Sequence, residues 1–411
     1  MTPSPTLIIY RDELLGTSET FIRAQAESLR SFSPFFLGLR RIPGQTLPRE
    51  SLHIISGSGL IGKLQRARFK VAGPGASLLR RLKRLQPALI HAHFGPDACN
   101  ALEVADALRI PLLATFHGYD ATVADEHLPD RYLMRRQRLK DRGSCFLCVS
   151  EYIRNRLLEK GFAADRLQVH YTGIDTDFFR PDPDLPRSPI VLFVGRLVEV
   201  KGCQFVIRAM SRIQPIMPEA KLVVIGDGPL RRQLTEQALV CLRNFEFRGV
   251  QTPSMVRDCM NRAAVLCTPS VTAASGAVEG FGMVFAEAQA MGLPVVSFAS
   301  GGVPEAVAHG ETGLLVQERD CEALAASLLV LLRTPQLWTR FSQAGRRRVL
   351  NSFDIHRQAK RLEAIYNHVL SEFQRQSARP EKPLSTMYRE QNACLVHHSS
   401  ALSSLRGIVP S

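Results

Sequence analysis

Short apolar runs alternate with segments of helical periodicity along most of the chain. The runs predict buried strands in both halves: Leu7–Tyr10, Leu52–Ile55, Ala88–Ala92, Pro111–Thr115, Ile190–Val194, Ala263–Cys267 and Val295–Ser297. The periodic segments predict helices, among them Leu78–Leu85, Leu102–Leu108, Cys203–Ile213 and Met283–Met291. Strands that alternate with helices indicate parallel sheets, so the pattern predicts an α/β protein.

A chain of 411 residues is too long for one compact core, and one proline-rich, charged run divides it. This run, Arg180–Ser188, is typical of a domain boundary. We therefore predict a first domain at residues 1–180 and a second at 188–353. A last periodic segment predicts a helix at 354–375, and residues 377–411 lack periodicity and predict a disordered tail.

The charge balance is strongly basic, with 52 Lys and Arg against 38 Asp and Glu. Such a balance favours an anionic partner, which could be nucleic acid, a phosphorylated substrate or an anionic membrane. The basic clusters are Arg66–Lys70, Arg80–Arg84 and Arg131–Arg142. The last predicts a helix, which could lie on an anionic membrane or present a solvated face. Few aromatic residues lie between the cations, which argues against a nucleic-acid groove.

Cysteine usage bears on the compartment and on metal binding. Nine cysteines are scattered without framework spacing, which fits a reducing cytosol. Cys145 and Cys148 form a CxxC within a predicted strand, where residues three apart face opposite sides and do not share a metal. No apolar run of about 20 residues predicts a membrane span, and the N-terminus lacks a signal-peptide pattern. We expect a cytoplasmic protein with peripheral contact at the inner face of the plasma membrane.

A pair of carboxylates follows the strand that ends at Cys267. Glu279 precedes a predicted helix and Glu287 lies within it, about two turns in. Gly280 and Gly282 flank Phe281 between them and allow a ligand to approach the backbone. The N–H groups of a helix start favour an anion. Carboxylates at both ends and amides in the middle suit a nucleotide sugar, which has hydroxyls at both ends and phosphates between.

Arg196 and Lys201 flank the loop after the first strand of the second half. Two cations at one strand end favour an anion between them, and a diphosphate supplies that charge. These cations take the place of a metal, so we expect no metal at the diphosphate.

Histidines mark two strand ends of the first half. His91 and His93 end one predicted strand, and His117 and Asp120 follow the next. Ligands bind at the carboxyl ends of parallel strands, so we expect a site there. His91 is better explained as a structural residue. A zinc site formed by the three histidines lacks a fourth ligand of suitable spacing, so we predict no metal centre.

These motifs resemble those of one enzyme family. Glu279-x7-Glu287, Gly195-Arg196-x4-Lys201 and Phe116–Asp120 are similar to motifs of the retaining glycosyltransferases of the GT-4 family, in particular the colanic acid and amylovoran exopolysaccharide type. The resemblance implies the GT-B fold: two doubly wound parallel-sheet, Rossmann-like domains facing a cleft, and a C-terminal helix crossing back to the first domain.

The resemblance also implies roles for individual residues. Glu279 would contact the donor sugar, Glu287 the ribose, and His117 the sugar near the reacting bond. His93 and Asp120 would lie near the acceptor. Further contacts to the donor would come from Gly16 and Thr17 at the phosphates, from Val250 through its backbone at the nucleobase, and from Gly280, Phe281 and Gly282. The family usually has two adjacent glycines at the phosphate loop, and Thr17 replaces the second here.

The resemblance implies transfer of a hexose from a nucleotide-diphosphate sugar to a lipid-linked or polysaccharide acceptor, with retention of anomeric configuration. It implies no cofactor besides the donor substrate. Two alternatives remain open at this point: a sugar-nucleotide epimerase of the same architecture, and a non-catalytic basic membrane-binding protein. An epimerase should carry more acid/base carboxylates in the first half, and a membrane-binding protein would leave Glu279 without a role.

Overall fold

The computed structural model describes residues 4–16, 19–44 and 46–378. Its strands are β1 Thr6–Tyr10, β2 Glu13–Leu14, β3 Ser33–Gly38, β4 Arg40–Arg41, β5 Leu52–Ile54, β6 Pro87–His93, β7 Leu112–Phe116, β8 Cys145–Cys148, β9 Leu167–Val169, β10 Ile190–Val194, β11 Lys221–Ile225, β12 Phe245–Gly249, β13 Val265–Cys267, β14 Val295–Phe298 and β15 Gly313–Val316.

Helices connect these strands. They are α1 Thr20–Glu27, α2 Gly59–Ala72, α3 Ala76–Arg84, α4 Gly95–Leu108, α5 Tyr119–Thr122, α6 Asp130–Arg142, α7 Glu151–Glu159, α8 Cys203–Ile213, α9 Arg231–Cys241, α10 Pro253–Arg262, α11 Met283–Ala290, α12 Val303–Ala306, α13 Cys321–Arg333, α14 Pro335–Ser352 and α15 Ile355–Ala378. In the described part of the chain, no helix combines the length and apolar character that a membrane crossing needs.

Two large parallel sheets carry the structure. The first has the strand order β5-β3-β1-β6-β7-β8-β9, and the second has the order β12-β11-β10-β13-β14-β15. In each sheet the chain builds outward in one direction and then returns to the middle to build in the other. The strand order therefore reverses between β1 and β6 and between β10 and β13. Ligands of such sheets bind beyond the carboxyl ends of strands at this reversal.

The predicted α/β class with two doubly wound sheets is confirmed. The bounds of α8 match the prediction, whereas β6 is longer than predicted, because Pro87 and His93 join the strand. Strand β3 and helix α2 were not predicted. The apolar run of β3 is short, because its first two residues are Ser33 and Pro34. Helix α2 has apolar side chains on its exposed side as well as its buried side, which obscures its periodicity.

The helix α15 crosses to the first sheet, as predicted. The hydroxyl of Tyr366 lies 2.7 Å from Nδ1 of His91 in β6, and Glu363 accepts hydrogen bonds from the backbone N–H groups of Arg30 and Ser31. Since Tyr366 is fully buried, this helix is part of the first core. The predicted tail at 377–411 lies outside the described residues, except for Ser377 and Ala378, which belong to α15.

Cys145 and Cys148 are the two ends of strand β8, and all four residues of this strand are buried. Burial raises the pKa of the Cys145 thiol to about 12. These thiols therefore pack in the core as neutral groups.

Candidate functional site

The reversal point of the second sheet brings two predicted site residues together. The loop after β10 carries Lys201 and the loop after β13 carries Glu279, and these two strands are parallel neighbours. The ammonium group of Lys201 forms an ion pair with the carboxylate of Glu279, and the Ser270 hydroxyl donates to the same carboxylate at 3.3 Å. The side chains are 20% and 12% exposed, so a ligand in solvent can reach the pair.

Close backbone packing fixes the position of Lys201. Gly202 has φ of +65°, and a Cβ at this residue would collide with the carbonyl oxygen of Pro269. This loop therefore lies against the end of the neighbouring strand, and only glycine fits there.

Arg196 differs from Lys201 in its surroundings. Its side chain is exposed, and within the described parts of the chain its guanidinium makes no hydrogen bond or ion pair. The carboxylate of Glu279 already neutralises Lys201, which the sequence did not indicate. The crevice therefore holds one paired cation, and the loop carries one free guanidinium.

Glu287 lies in the second turn of α11, since this helix begins at Met283. Its carboxylate has no hydrogen-bond partner in the part of the chain that the structure describes. Burial raises its pKa to about 7, although the charge of Lys201 acts in the opposite direction. This carboxyl is therefore an acceptor available to a ligand, and its charge changes near neutral pH.

In the first sheet, three histidines form a row: the buried His91 and His93 belong to the end of β6, and the half-buried His117 follows β7. His91 lies 2.7 Å from the Tyr366 hydroxyl and 2.6 Å from the Thr115 hydroxyl, which agrees with its predicted structural role. Nδ1 of His93 lies 3.0 Å from Nε2 of His117. His93 is only 1% exposed, so it lies behind His117 and supports that ring.

We assign the histidine tautomers from this network. Nε2 of His93 is buried without a partner among the described residues. A buried N–H without an acceptor is rarer than an unpaired acceptor, so His93 carries its proton on Nδ1 and donates it to His117. Burial lowers the pKa of His117 to about 3, so this ring is neutral and carries its own proton on Nδ1. His117 therefore offers a hydrogen-bond donor.

Asp120 organises the loop that carries His117. Its fully buried carboxylate accepts hydrogen bonds from the backbone N–H groups of His117 at 3.1 Å, Gly118 at 3.0 Å and Gly95 at 3.0 Å. Three backbone donors satisfy a buried carboxylate. The predicted contact of Asp120 with substrate remains a prediction, and the structure shows a positioning role.

Residues of the two halves meet at Gly280. A Cβ on Gly280 would collide with the carbonyl oxygen of His117, and the hydroxyl of Ser150 donates to the Gly280 carbonyl at 2.6 Å. Glu305 of α12 accepts hydrogen bonds from the Glu151 and Tyr152 amides at 2.7 and 2.8 Å. The Glu279–Gly280 segment is therefore held against the His117 loop, as a site shared by two domains requires.

The neighbours of Gly280 are structural. Phe281 is buried and packs against Tyr171 and Phe353 at ring distances of 5.4 and 5.0 Å. Gly282 caps the N-terminus of α11 with φ of +84°, and a Cβ there would collide with the Phe285 ring. The Phe281 side chain thus anchors the loop, and ligand contact at Gly280 and Gly282 would come from backbone.

A charged network beside the histidines was not predicted. Arg11, directly after β1, forms ion pairs with Asp97 of α4 and with Glu19, and its guanidinium lies 4.4 Å from the centre of the Phe94 ring. Burial, with the nearby charge of Asp12, raises the pKa of Asp97 to about 7. The position of these two residues in the sequence could have indicated the pair, because Arg11 and Asp97 both follow strands at the reversal point.

The structure places two of three further predicted positions, Gly16 and Val250. The Gly16 amide lies 3.4 Å from a carboxylate oxygen of Glu19, and Thr17 lies outside the described residues. Val250 follows β12 and is 64% exposed. The proposed donor contacts of these residues remain predictions.

The described residues contain no cluster of three or more His, Cys, Asp or Glu side chains that could hold a metal ion. Two Asp-x-Asp sequences occur near the domain boundary, but their carboxylates accept hydrogen bonds from their own turns. Asp175 accepts from the Asp177 amide at 3.1 Å, and Asp182 accepts from the Asp184 amide at 3.0 Å.

Comparison with known families gives two matches that follow one another along the chain. A model described as Glycosyltransferase Family 4 matches residues 40–178, and one described as Glycosyl transferases group 1 matches residues 175–348. The second match contains the whole second sheet, with Lys201, Glu279 and Glu287.

Two relatives indicate the degree of similarity. The chain is 32% identical over 310 residues to the GDP-mannose-dependent alpha-(1-6)-phosphatidylinositol monomannoside mannosyltransferase of Mycolicibacterium smegmatis, covering 70% of this chain and 80% of that protein. It is 31% identical over 243 residues to WcaL of Escherichia coli strain K12, which is named as a colanic acid biosynthesis glycosyltransferase. That match covers 58% of this chain and only 59% of the relative's length.

The fold is also similar to solved structures. Anabaena Alr3699/HepE, crystallised with UDP and glucose, matches with a TM-score of 0.73 over 89% of this chain and 100% of that chain. Sequence identity is 18%, so the similarity concerns the GT-B fold.

Proposed function

This chain belongs to glycosyltransferase family 4, and from that premise we propose that it transfers a hexose from a nucleotide-diphosphate sugar to a lipid-linked or polysaccharide acceptor with retention of configuration. The observation that carries the proposal is the Lys201–Glu279 pair at the reversal point of the second sheet, held against the His117 loop of the first. The named relatives support a role in exopolysaccharide or other cell-surface glycan synthesis.

The donor would bind mainly to the second half. Lys201 is held in the crevice and Arg196 is free to close over a diphosphate, which a guanidinium can bind with two hydrogen bonds. Glu287 would accept hydrogen bonds from the ribose, and Val250 would lie by the base. HepE and the mycobacterial mannosyltransferase are named with UDP and GDP-mannose respectively, which supports a nucleotide-sugar donor here.

The transfer step exchanges one bond for another at the anomeric carbon. The bond to the diphosphate oxygen breaks, and the bond to the acceptor oxygen forms on the same face. The acceptor's proton passes to the leaving phosphate. Lys201 and Arg196 stabilise the charge that grows on the diphosphate, while Glu279 and the His117 N–H position the sugar. Close contact around Gly280 excludes water and favours transfer over hydrolysis.

We also propose that the two cations neutralise the diphosphate without a metal ion. Transfer should then persist in excess EDTA. A loss of activity in EDTA that Mg²⁺ or Mn²⁺ restores would overturn this part of the proposal.

The epimerase alternative is not favoured, because the carboxylates around the histidines of the first half are tied to partners. Asp97 pairs with Arg11, Asp12 accepts from Tyr10 and Asn100, and Asp120 holds backbone amides. None of them is free to exchange a proton with a sugar.

Thermal unfolding in the presence of UDP- and GDP-sugars tests the donor site. One of these sugars should raise the melting temperature with ligand concentration, because only the folded state binds it. Arg196→Ala and Lys201→Ala should each abolish the increase. Lys221→Ala, which removes a lysine at the opposite end of a neighbouring strand, is the matched control and should retain it. Full stabilisation of both site variants would contradict the proposal.

A further inference from the structure

Helix α2 exposes an unusual apolar stripe. Leu60, Ile61, Leu64 and Val71 are 73%, 70%, 63% and 77% exposed. At about 100° per residue, Leu60, Leu64 and Val71 fall within about 40° of one another around the helix. The buried residues of this helix, Gly62 and Phe69, lie on the opposite side. The stripe therefore points away from the protein.

Cations flank this stripe on α2 and continue on α3, and most of them have no carboxylate partner among the described residues. Between residues 51 and 96 the chain contains no Asp or Glu, and its eight cations are Lys63, Arg66, Arg68, Lys70, Arg80, Arg81, Lys83 and Arg84. Six of them are exposed and form no ion pair with any described residue. Among the described residues, Lys70 pairs with the carboxylate of Asp12, and Arg66 donates to the Ser56 hydroxyl.

A pocket of about 430 Å³ joins α2, α3 and β5. Arg68 of α2 and Arg81 of α3 both line it, together with His53 of β5. Burial and the charge of Arg81 lower the pKa of His53. Two unpaired guanidinium groups around one pocket suit a phosphate group.

The other basic helix has different surroundings. In α6, Arg136 pairs with Asp125 at 2.6 Å, Arg138 with Glu103 at 2.7 Å and Arg142 with Asp106 at 2.8 Å. Tyr132 and Leu139 of this helix are buried. Membrane contact by α6, one of the two interpretations of its sequence, is thus not favoured.

We propose that the α2–α3 surface docks the protein onto an anionic phospholipid bilayer. The apolar stripe enters the boundary between headgroups and acyl chains, and the unpaired cations bind lipid phosphates. A lipid membrane fits better than an acidic protein because apolar and cationic side chains share one face. This inference rests on the proposed function, since a lipid-linked acceptor would be reached there. Lys70 of α2 pairs with Asp12, next to Arg11 at the first-sheet site.

Sedimentation of the full chain with vesicles tests the surface. Binding to phosphatidylcholine mixed with phosphatidylglycerol should be strong, and binding to phosphatidylcholine alone should be weak. Arg80→Gln/Arg81→Gln should weaken binding by roughly 10-fold to 30-fold, because each cation contributes about fivefold. Leu60→Ser/Leu64→Ser should weaken it by about tenfold or more. Arg138→Gln/Arg142→Gln removes the same charge from α6 and is the matched control, with binding unchanged.

The proposal would be overturned if the α6 control Arg138→Gln/Arg142→Gln lost as much vesicle binding as Arg80→Gln/Arg81→Gln. It would also be overturned if the protein bound equally well to both vesicle types. Loss of self-association in Leu60→Ser/Leu64→Ser without loss of vesicle binding would show that a second copy covers the stripe, and would overturn it too. Stabilisation by the nucleotide sugar is measured in every variant and should be unchanged. If the proposed donor site is wrong, the nucleotide sugar will not stabilise the protein. If the docking surface is wrong, the α2 and α3 variants will bind vesicles as the parent does.

Discussion

The two sheets place different chemistry at equivalent points. At the reversal between β10 and β13, Lys201 and Glu279 form a charged pair that solvent reaches. At the reversal between β1 and β6, Arg11 pairs with Asp97, and beside this pair the neutral ring of His93 lies against that of His117, which follows β7. The second sheet thus presents a charged pair to solvent, which suits the charged ligand that we propose, whereas the first sheet presents the neutral ring of His117.

The largest effect is expected at Glu279. Glu279→Gln should lower the transfer rate by on the order of 100-fold to 1000-fold, because it removes the charge that we propose to orient the sugar. Binding of the nucleoside diphosphate alone should be retained, since Lys201 is then released for phosphate. Rate measurements and calorimetry check both results. Glu246→Gln, which removes a carboxylate paired with Lys221, is the control and should change neither.

The supporting role of His93 predicts a smaller effect in the first sheet. His93→Phe keeps the ring but removes the donor to His117, and should lower kcat by about 10-fold to 100-fold with little change in donor affinity. His93→Asn retains an N–H near the position of Nδ1 and should recover part of the rate. If both variants weaken donor binding and leave kcat unchanged, His93 does not act through His117.

Substitution of Asp120, which holds the His117 loop, should mainly lower the free energy of unfolding. Asp120→Asn keeps one carbonyl oxygen and turns an amide N–H₂ toward a backbone N–H, which should cost roughly 1–3 kcal/mol of unfolding free energy. Denaturant unfolding measures this cost. The surface variant Asp141→Asn is the control. If Asp120→Asn destabilises the protein no more than this control does, the three hydrogen bonds from backbone N–H groups to Asp120 do not contribute to stability.

The smallest effect is a pH dependence of donor binding through Glu287. Its pKa of about 7 means that the carboxyl is largely protonated at pH 6. Ribose hydroxyls donate to the ionised form, so donor affinity should increase by about tenfold between pH 6 and pH 8 and level off above. Glu287→Gln should remove this dependence. A pH profile that the variant shares with the parent would assign the titration to another group.

The raised pKa of Glu287 also predicts its effect on stability. Ionisation is easier in the unfolded chain, at about 4.5, than in the folded one, at about 7. The contribution of this group is therefore complete below pH 4.5 and is lost as the pH increases through 7. Glu287→Gln should unfold with a weaker pH dependence over that interval.

Much of the fold could be predicted because its signals are local. Buried strands such as β10 are continuous apolar runs, and α8 has clear periodicity. Site residues of the second half follow strands, so the parallel-sheet rule brought Lys201 and Glu279 to one edge. Strand β3 was missed because Ser33 and Pro34 shorten its apolar run.

The remaining features depend on contacts between distant segments. Arg11 and Asp97 are 86 residues apart, and no local pattern links them. His93 was expected near the acceptor, and that expectation stays a prediction; its burial behind the ring of His117, which follows the next strand, could not be read from the sequence. Likewise, the charge of α6 looked free in the sequence, and carboxylates of α4 neutralise it.

A crystal structure of the protein with its nucleotide sugar tests the central claim most directly. The account predicts a phosphate oxygen within about 2.7–3.2 Å of the Lys201 ammonium group, with the sugar between Glu279 and His117. A diphosphate bound away from Lys201 and Arg196, with the Lys201–Glu279 pair undisturbed and far from the ligand, would contradict it.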